Sequence, residues 1–178
     1  IDIKKTGKVP ARNLALEKTK GKYILFQDAD DWSHKKRVET LLAISQKIGI
    51  KSVVGSNYSI FNEINNNFRN IKLLKNNKQI RSRMSRYLMS GAMFPPSLMV
   101  QKKFLLSTGP WREKFNGGAE DGDLVERLFE NGAIFHNSQS LLYTYRLNEG
   151  SISSKFARSI PWQMFKRFCK FCRKGNIK

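Results

Sequence analysis

Acid is scarce in this chain: 14 Asp+Glu stand against 33 Lys+Arg, for a formal charge of +19. No carboxylate side chain occurs from Ile64 to Arg112, nor from Ser151 to Lys178. Stretches of that kind attract anions such as nucleic acid, phospholipid head groups or nucleotide phosphates, and charge alone does not choose among them. Cysteine is nearly missing as well. Cys169 and Cys172 form a single Cys-x-x-Cys, and the two histidines, His34 and His136, lie far from it in sequence. A structural zinc site takes four ligands, so this set excludes one. A redox Cys-x-x-Cys normally opens a helix after a strand, whereas this pair lies in a basic aromatic run. The cysteines therefore read as incidental, and the compartment as reducing and cytoplasmic. No apolar run approaches the ~20 residues needed to span a bilayer, and nothing at the start resembles a secretory signal. The chain begins at Ile1 on a polar, basic stretch, which suggests a fragment or a processed chain.

What is present is a folded composition. Apolar residues make up 40% and aromatics 11% of 178 residues, enough for one domain with a real core. Against the basic background, six of the 14 acids crowd into Asp28-Ala29-Asp30-Asp31 and Glu120-Asp121-Gly122-Asp123. Packing like charges together raises the energy of a site unless a cation or a reaction uses them. These clusters are the first candidates for chemistry.

The first half alternates helix and strand. Pro10 to Lys20 reads as a helix ended by Gly21, and Tyr23 to Phe26 as a buried strand. Ser33 is expected to cap a helix carrying Val38, Leu41, Leu42 and Ile48 that closes at Gly49, before a strand over Ser52 to Ser56. This order predicts an α/β domain with a largely parallel sheet. The Asn-rich segment from Asn62 to Asn77 reads as a loop, Lys78 to Met89 as a helix, and Ser97 to Val100 as a strand. Glu120 to Asn131 is a helix stopped by Gly132, followed by strands over Ala133 to Phe135 and Leu142 to Tyr145.

Asp28 and Asp30 fall at the end of the strand that begins at Tyr23. Strand alternation would point both to one face, making a hard-oxygen site suited to Mg2+ or Mn2+ with substrate phosphate. The alternative is a solvated acidic turn in which Asp31 favours the next helix's positive end. Glu120, Asp121 and Asp123 occupy a helix's first turn after Gly117-Gly118. They either stabilise that helix end or present a carboxylate to a substrate as a general base.

Taken in order, "ARNLALEKTKGKYILFQDADDW", "PPSLMVQKKFLLSTGPWREKF", "AEDGDLVERLFENG" and "YRLNEGSIS" closely resemble the family 2 glycosyltransferases, covering most of the chain from Pro10 to Ser154. The resemblance implies a GT-A fold and an inverting transfer of a sugar from a nucleotide diphosphate to an acceptor hydroxyl. It implies Asp28 and Asp30 as the metal-binding Asp-x-Asp, with Asp28 also on the donor. Asp121 would be the catalytic base, with Glu120 orienting it or binding acceptor. Arg12, Arg146 and Ser151 would lie on the nucleotide and phosphate side. The donor implied is a UDP-sugar, the acceptor a glycan or lipid-linked glycan, and the pathway bacterial surface polysaccharide synthesis.

Two departures accompany the resemblance. Asn148 stands where many relatives carry histidine. Nothing before Arg12 supplies the strand–helix–strand that binds the nucleotide base, so the chain is expected to be an enzyme lacking its first nucleotide-binding unit, inactive by itself. Residues 1–154 are read as the partial catalytic domain and 155–178 as a basic aromatic tail. In that tail Phe165, Phe168, Cys169 and Cys172 would share one helical face, suited either to anionic lipid at the inner membrane face or to packing on its own domain. The competing readings are a nucleic-acid-binding module, disfavoured because the acid clusters repel phosphate, and a non-catalytic glycosyltransferase remnant.

Overall fold

The computed structural model describes residues 7–86, 92–116 and 119–148. The chain runs α1 (Lys8–Lys18), β1 (Tyr23–Leu25), β2 (Trp32–Ser33), α2 (Arg37–Ile48), β3 (Ser52–Asn62) and β4 (Asn67–Ile71). It continues through α3 (Asn77–Arg86), β5 (Met99–Gln101), α4 (Lys102–Ser107), α5 (Glu120–Glu130) and β6 (Ile134–Leu147). One sheet with the order β1-β5-β3-β6-β2, and β4 on the outer part of β3, carries the helices on its faces.

Alternation along the strands builds two apolar layers. Val53, Val100 and Phe135 point to the side covered by Val9 and Leu16 of α1, Ile80 of α3, Leu105 of α4 and Leu124 and Leu128 of α5. Their neighbours Val54 and Met99, with Leu142, point to the other side, where Leu41, Leu42 and Ile48 of α2 meet them. Gly132, at φ 79°, ends α5 in the left-handed region where glycine has no steric penalty.

The α/β class is as expected, but the sheet is mixed. Among the described strands only β3 and β6 pair in parallel; the β1–β5, β3–β5, β3–β4 and β2–β6 pairs are antiparallel. Helix–strand alternation signals parallel crossovers only where each helix returns the chain to the same sheet end, and here a hairpin reverses it. The hairpin lies in the segment read as a loop. Asn66 adopts φ 55° at its turn, a conformation that Asn tolerates, and β3 continues to Asn62, well past Ser56. The two expected C-terminal strands are the single long β6.

Ser33 does not cap α2. It lies in β2, and its hydroxyl donates to Gln27 Oε1 at 2.6 Å. The helix starts at Arg37 without a side-chain cap. Asp31 therefore has no helix end beside it and bonds elsewhere.

Candidate active site

β1 ends at Leu25, and Phe26 leaves the sheet with its N–H on Leu98 O at 2.8 Å. The chain then turns, Asp31 N–H donating to Asp28 O at 3.2 Å. This turn replaces the continued strand that would have put Asp28 and Asp30 on one face. Asp28 points inward, Asp30 is exposed and Asp31 is buried.

Arg12, from α1, draws the two acidic clusters together. Its Nη1 donates to Asp121 Oδ1 at 2.6 Å and to Glu120 Oε1 at 3.1 Å, and its Nη2 reaches Asp28 Oδ1 at 3.5 Å. Lys8, one turn earlier, meets Glu120 Oε1 at 2.5 Å. The guanidinium lies 5.8 Å from the Trp111 ring centre. Trp111 is fixed by Asn13, whose amide donates to Trp111 O at 2.8 Å and accepts from Trp111 N–H at 2.9 Å. The Arg12-Asn13 pair thus ties α1 to both the acids and the Gly-Pro-Trp turn.

Burial raises the proton affinity of two of these carboxylates. Asp121 is held above the ordinary carboxylate range, first by burial and then by Glu120 and Asp28, with Arg12 opposing. Asp28 is raised in the same way, by burial and by Asp31 and Asp30, again against Arg12. Ala119, immediately before Glu120, has φ 65°, a left-handed conformation that is costly for a residue with a Cβ. Glu120 itself is almost fully buried, where it anchors Arg12 and Lys8.

A second network holds the acidic turn from below. Tyr143 of β6 donates its hydroxyl proton to Asp31 Oδ2 at 2.6 Å and accepts from Asp28 N–H at 3.2 Å. Burial and the Asp31 carboxylate push its hydroxyl well above the usual phenol range. Arg146 donates its backbone N–H to Asp31 Oδ1 at 2.8 Å and its Nη1 to Asp30 O at 3.1 Å, while its guanidinium pairs with Glu63. Asp31 is therefore a brace rather than an acid facing solvent.

Sequence reasoning missed Arg37. It is completely buried, yet donates to Gln27 Oε1 (2.6 Å), Ser33 Oγ (2.6 Å), Phe26 O (2.6 Å) and Pro96 O (3.0 Å). Its guanidinium also lies 4.6 Å from the Tyr143 ring centre. Burial lowers its pKa to about 10, which leaves it cationic at neutral pH. It looks like any exposed basic residue at a helix start, and only the three-dimensional path of residues 26–33 gives it partners.

Beside this group opens a cavity of about 250 Å³ whose lining includes Arg12, Leu16, Phe26, Asp28, Trp111 and Asp121. Its carboxylates share the wall with apolar side chains, a mixture usual for ligand sites. Among the described residues no group of three or more His, Cys, Asp or Glu could hold a metal unaided. Asp28 and Asp30 supply hard-oxygen donors of the kind Mg2+ and Mn2+ take one or two at a time, with waters and substrate phosphates completing the shell.

Of the residues expected at the site, Arg12, Asp28, Glu120 and Asp121 come together, and Arg146 joins the turn carrying Asp30. Ser151, Gly117-Gly118, the tail from residue 155 and the Cys169/Cys172 pair lie outside the described residues. No described helix is long and apolar enough to cross a membrane.

The fold has relatives of known structure. The fold is similar to that of S. aureus TarS 1–349 in complex with UDP-GlcNAc, with a TM-score of 0.62 and 21% identity over 83% of this chain and 41% of that one. A second structure of S. aureus TarS 1–349 aligns with a TM-score of 0.60 and 18% identity, over 82% and 42%. The chain thus spans about two fifths of the length of those chains. At this identity the likeness establishes a GT-A-like α/β fold. None of the curated protein sequences matches the chain. Because the family model described as "Glycosyl transferase family 2" matches residues 2–106, over half of the 178, the chain belongs to glycosyl transferase family 2.

Proposed function

We propose that this chain carries the catalytic and diphosphate-facing part of a glycosyltransferase that moves a sugar from a nucleotide diphosphate to an acceptor hydroxyl with inversion. The observation that carries the reading is the convergence of Asp28, Glu120 and Asp121, far apart in sequence, on one guanidinium at a cavity wall. A fold stabilised by helix-end acids alone has no need to gather them there.

In this reading Asp121 is the base. Burial raises its proton affinity, Arg12 opposes that rise and aims the group through Oδ1, and Oδ2 is left to take the acceptor's proton. As that proton leaves, the acceptor oxygen bonds to the anomeric carbon and the carbon–diphosphate bond breaks on the opposite side. Glu120 holds Arg12 and Lys8 in register. The donor side is given to Asp28, Asp30 and the Arg146 segment. Asp28 and Asp30 would hold a Mg2+ or Mn2+ ion, which when bound neutralises charge on the departing diphosphate. Asp28 is raised by burial first and then by Asp31 and Asp30, and a cation relieves the like-charge part of that cost. A UDP-sugar is the donor proposed, in keeping with the UDP-GlcNAc bound by the similar TarS structure. The acceptor proposed is a glycan or lipid-linked glycan at the cytoplasmic face, in bacterial surface polysaccharide synthesis; family analogy is the ground for that pathway.

The test is calorimetric titration of UDP in Mn2+, in chelator, and with Asp30→Ala. Binding that needs the metal and weakens in the variant supports the donor site. Metal-independent, salt-sensitive binding to polynucleotide, without UDP binding, would replace this reading with the nucleic-acid one.

A further inference from the structure

The outer half of the sheet carries an aromatic row that the reaction above does not use. Phe61 on β3 is directly paired with Phe68 on β4 and with Arg146 on β6, so all stand on one face. Trp32 of β2 joins them. The Phe61–Phe68 ring centres are 4.6 Å apart at 28°, and the Trp32–Phe61 centres 5.3 Å apart at 26°. Trp32 is 46% and Phe68 61% exposed. Beside the rings on the same face stand Ser59, Asn70 and Thr144, a cross-strand set in which Ser59 Oγ donates to Asn70 Oδ1 at 2.8 Å.

Exposed rings in register across neighbouring strands are unusual on a soluble surface, where large apolar groups are normally scattered. This row is also continuous with the candidate active site. Trp32 follows Asp31 in the chain, and the Arg146 guanidinium lies 5.0 Å from the Trp32 ring centre while its Nη1 holds Asp30 O. A strip of carbon surface edged by the exposed Asn70 amide and the half-buried Thr144 hydroxyl matches a sugar ring, which has apolar C–H faces and a rim of hydroxyls. Nucleic acid fits less well, because Glu63 already neutralises Arg146 at this place.

We infer that Trp32, Phe61 and Phe68 form a subsite for the saccharide units of the acceptor, extending from the acidic turn along the outer sheet. This rests on the transferase reading for its role, though not for its binding chemistry. Stacked rings would hold sugar units beyond the one that reacts, setting acceptor affinity without touching donor phosphates.

The full chain, with Trp32→Ala, Phe68→Ala and the conservative Phe68→Tyr, would be titrated with chitohexaose, cellohexaose and maltohexaose by saturation-transfer NMR. UDP with Mn2+ is titrated in parallel. Ile64→Ala, at the exposed hairpin tip, controls for lost surface apolarity. The expected result is saccharide binding weakened about tenfold or more by either alanine, as for truncated aromatic anchors, kept by Phe68→Tyr and Ile64→Ala, with UDP binding unchanged. Saccharide binding that is absent, or indifferent to the alanines, overturns the inference, whatever UDP does. So does a loss of self-association in the alanine variants by sedimentation, which would assign the row to a second copy of the chain. Failure of UDP to bind while ring-dependent saccharide binding persists would leave the subsite standing and withdraw support from the proposed donor site.

Discussion

Arg12→Met is the most exacting test of the site. Arg12 makes charge-assisted bonds to Asp121 and Glu120 and reaches Asp28, with its own side chain 28% exposed and those of Asp121 and Glu120 at 29% and 3%. Breaking a fully buried ion pair costs ~3–5 kcal/mol. Partial exposure, and Lys8 remaining on Glu120 at 2.5 Å, reduce this to about 2–3 kcal/mol. For a chain of this size that lowers Tm by roughly 5–10 °C. The electrostatic consequence has a definite sign. Arg12 lowers the proton affinity of Asp121 and Asp28 against burial, so its loss moves both further above the ordinary carboxylate range. A base must be ionised, and the acid limb of the pH–rate profile therefore moves to higher pH. Carboxyl ¹³C titration of Asp121 by NMR reads the same shift without a substrate. Arg12→Met/Glu120→Gln should recover part of the lost stability, since the buried carboxylate that needed a cation is gone. A melting temperature within about 2 °C of the parent's, with Asp121 titrating unchanged, would refute the claim that Arg12 organises these acids.

The other predictions concern neighbouring groups. Asp121→Asn should reduce transfer by about 10²–10⁴-fold while leaving UDP–Mn2+ binding intact. Because the folded protein raises the pKa of Asp121, its ionised form opposes folding. The sign follows: that group's contribution to stability is fully present below the unfolded-state pKa and is lost as pH rises through the folded one. The Asn variant should then melt no lower than the parent near pH 7, by calorimetry, and a marked drop would show that the Arg12 bond outweighs burial. Tyr143→Phe removes the hydroxyl shared by Asp31 and Asp28 N–H and should cost about 1–3 kcal/mol, with weaker metal-dependent UDP binding. An unchanged UDP affinity would mean that this brace does not shape the donor side. Chelation should abolish UDP binding in the parent and change little in Asp28→Asn, compared by calorimetry at fixed ionic strength.

How far the sequence could be read depended on whether a residue's partners were local. Helix α5 was legible because its apolar spacing and Gly132 stop lie within one segment, and the strand at Tyr23 because its apolar run is continuous. The convergence of Asp28 with Glu120 and Asp121 became an expectation only through family resemblance, since nothing within either cluster refers to the other. Their link is Arg12, more than 100 residues from Asp121 in sequence, at |i−j| = 109. Two local rules failed for the same reason. Alternation was extended through Asp28 to Asp30, yet Arg37 holds Phe26 O and Pro96 O and helps draw the chain out of the strand. Ser33 had the residue type of a cap, yet Gln27 and Arg37 engage its hydroxyl first. In both cases a buried guanidinium with several acceptors outweighs a propensity of a few tenths to ~1 kcal/mol. The same competition explains Asp31, which the helix field could stabilise only modestly but which Tyr143 and the Arg146 N–H hold directly at 2.6 and 2.8 Å. Basic residues that are few in partners by sequence but buried in space are therefore where the organisation of this site was least visible, and Arg37 and Arg12 together account for most of it.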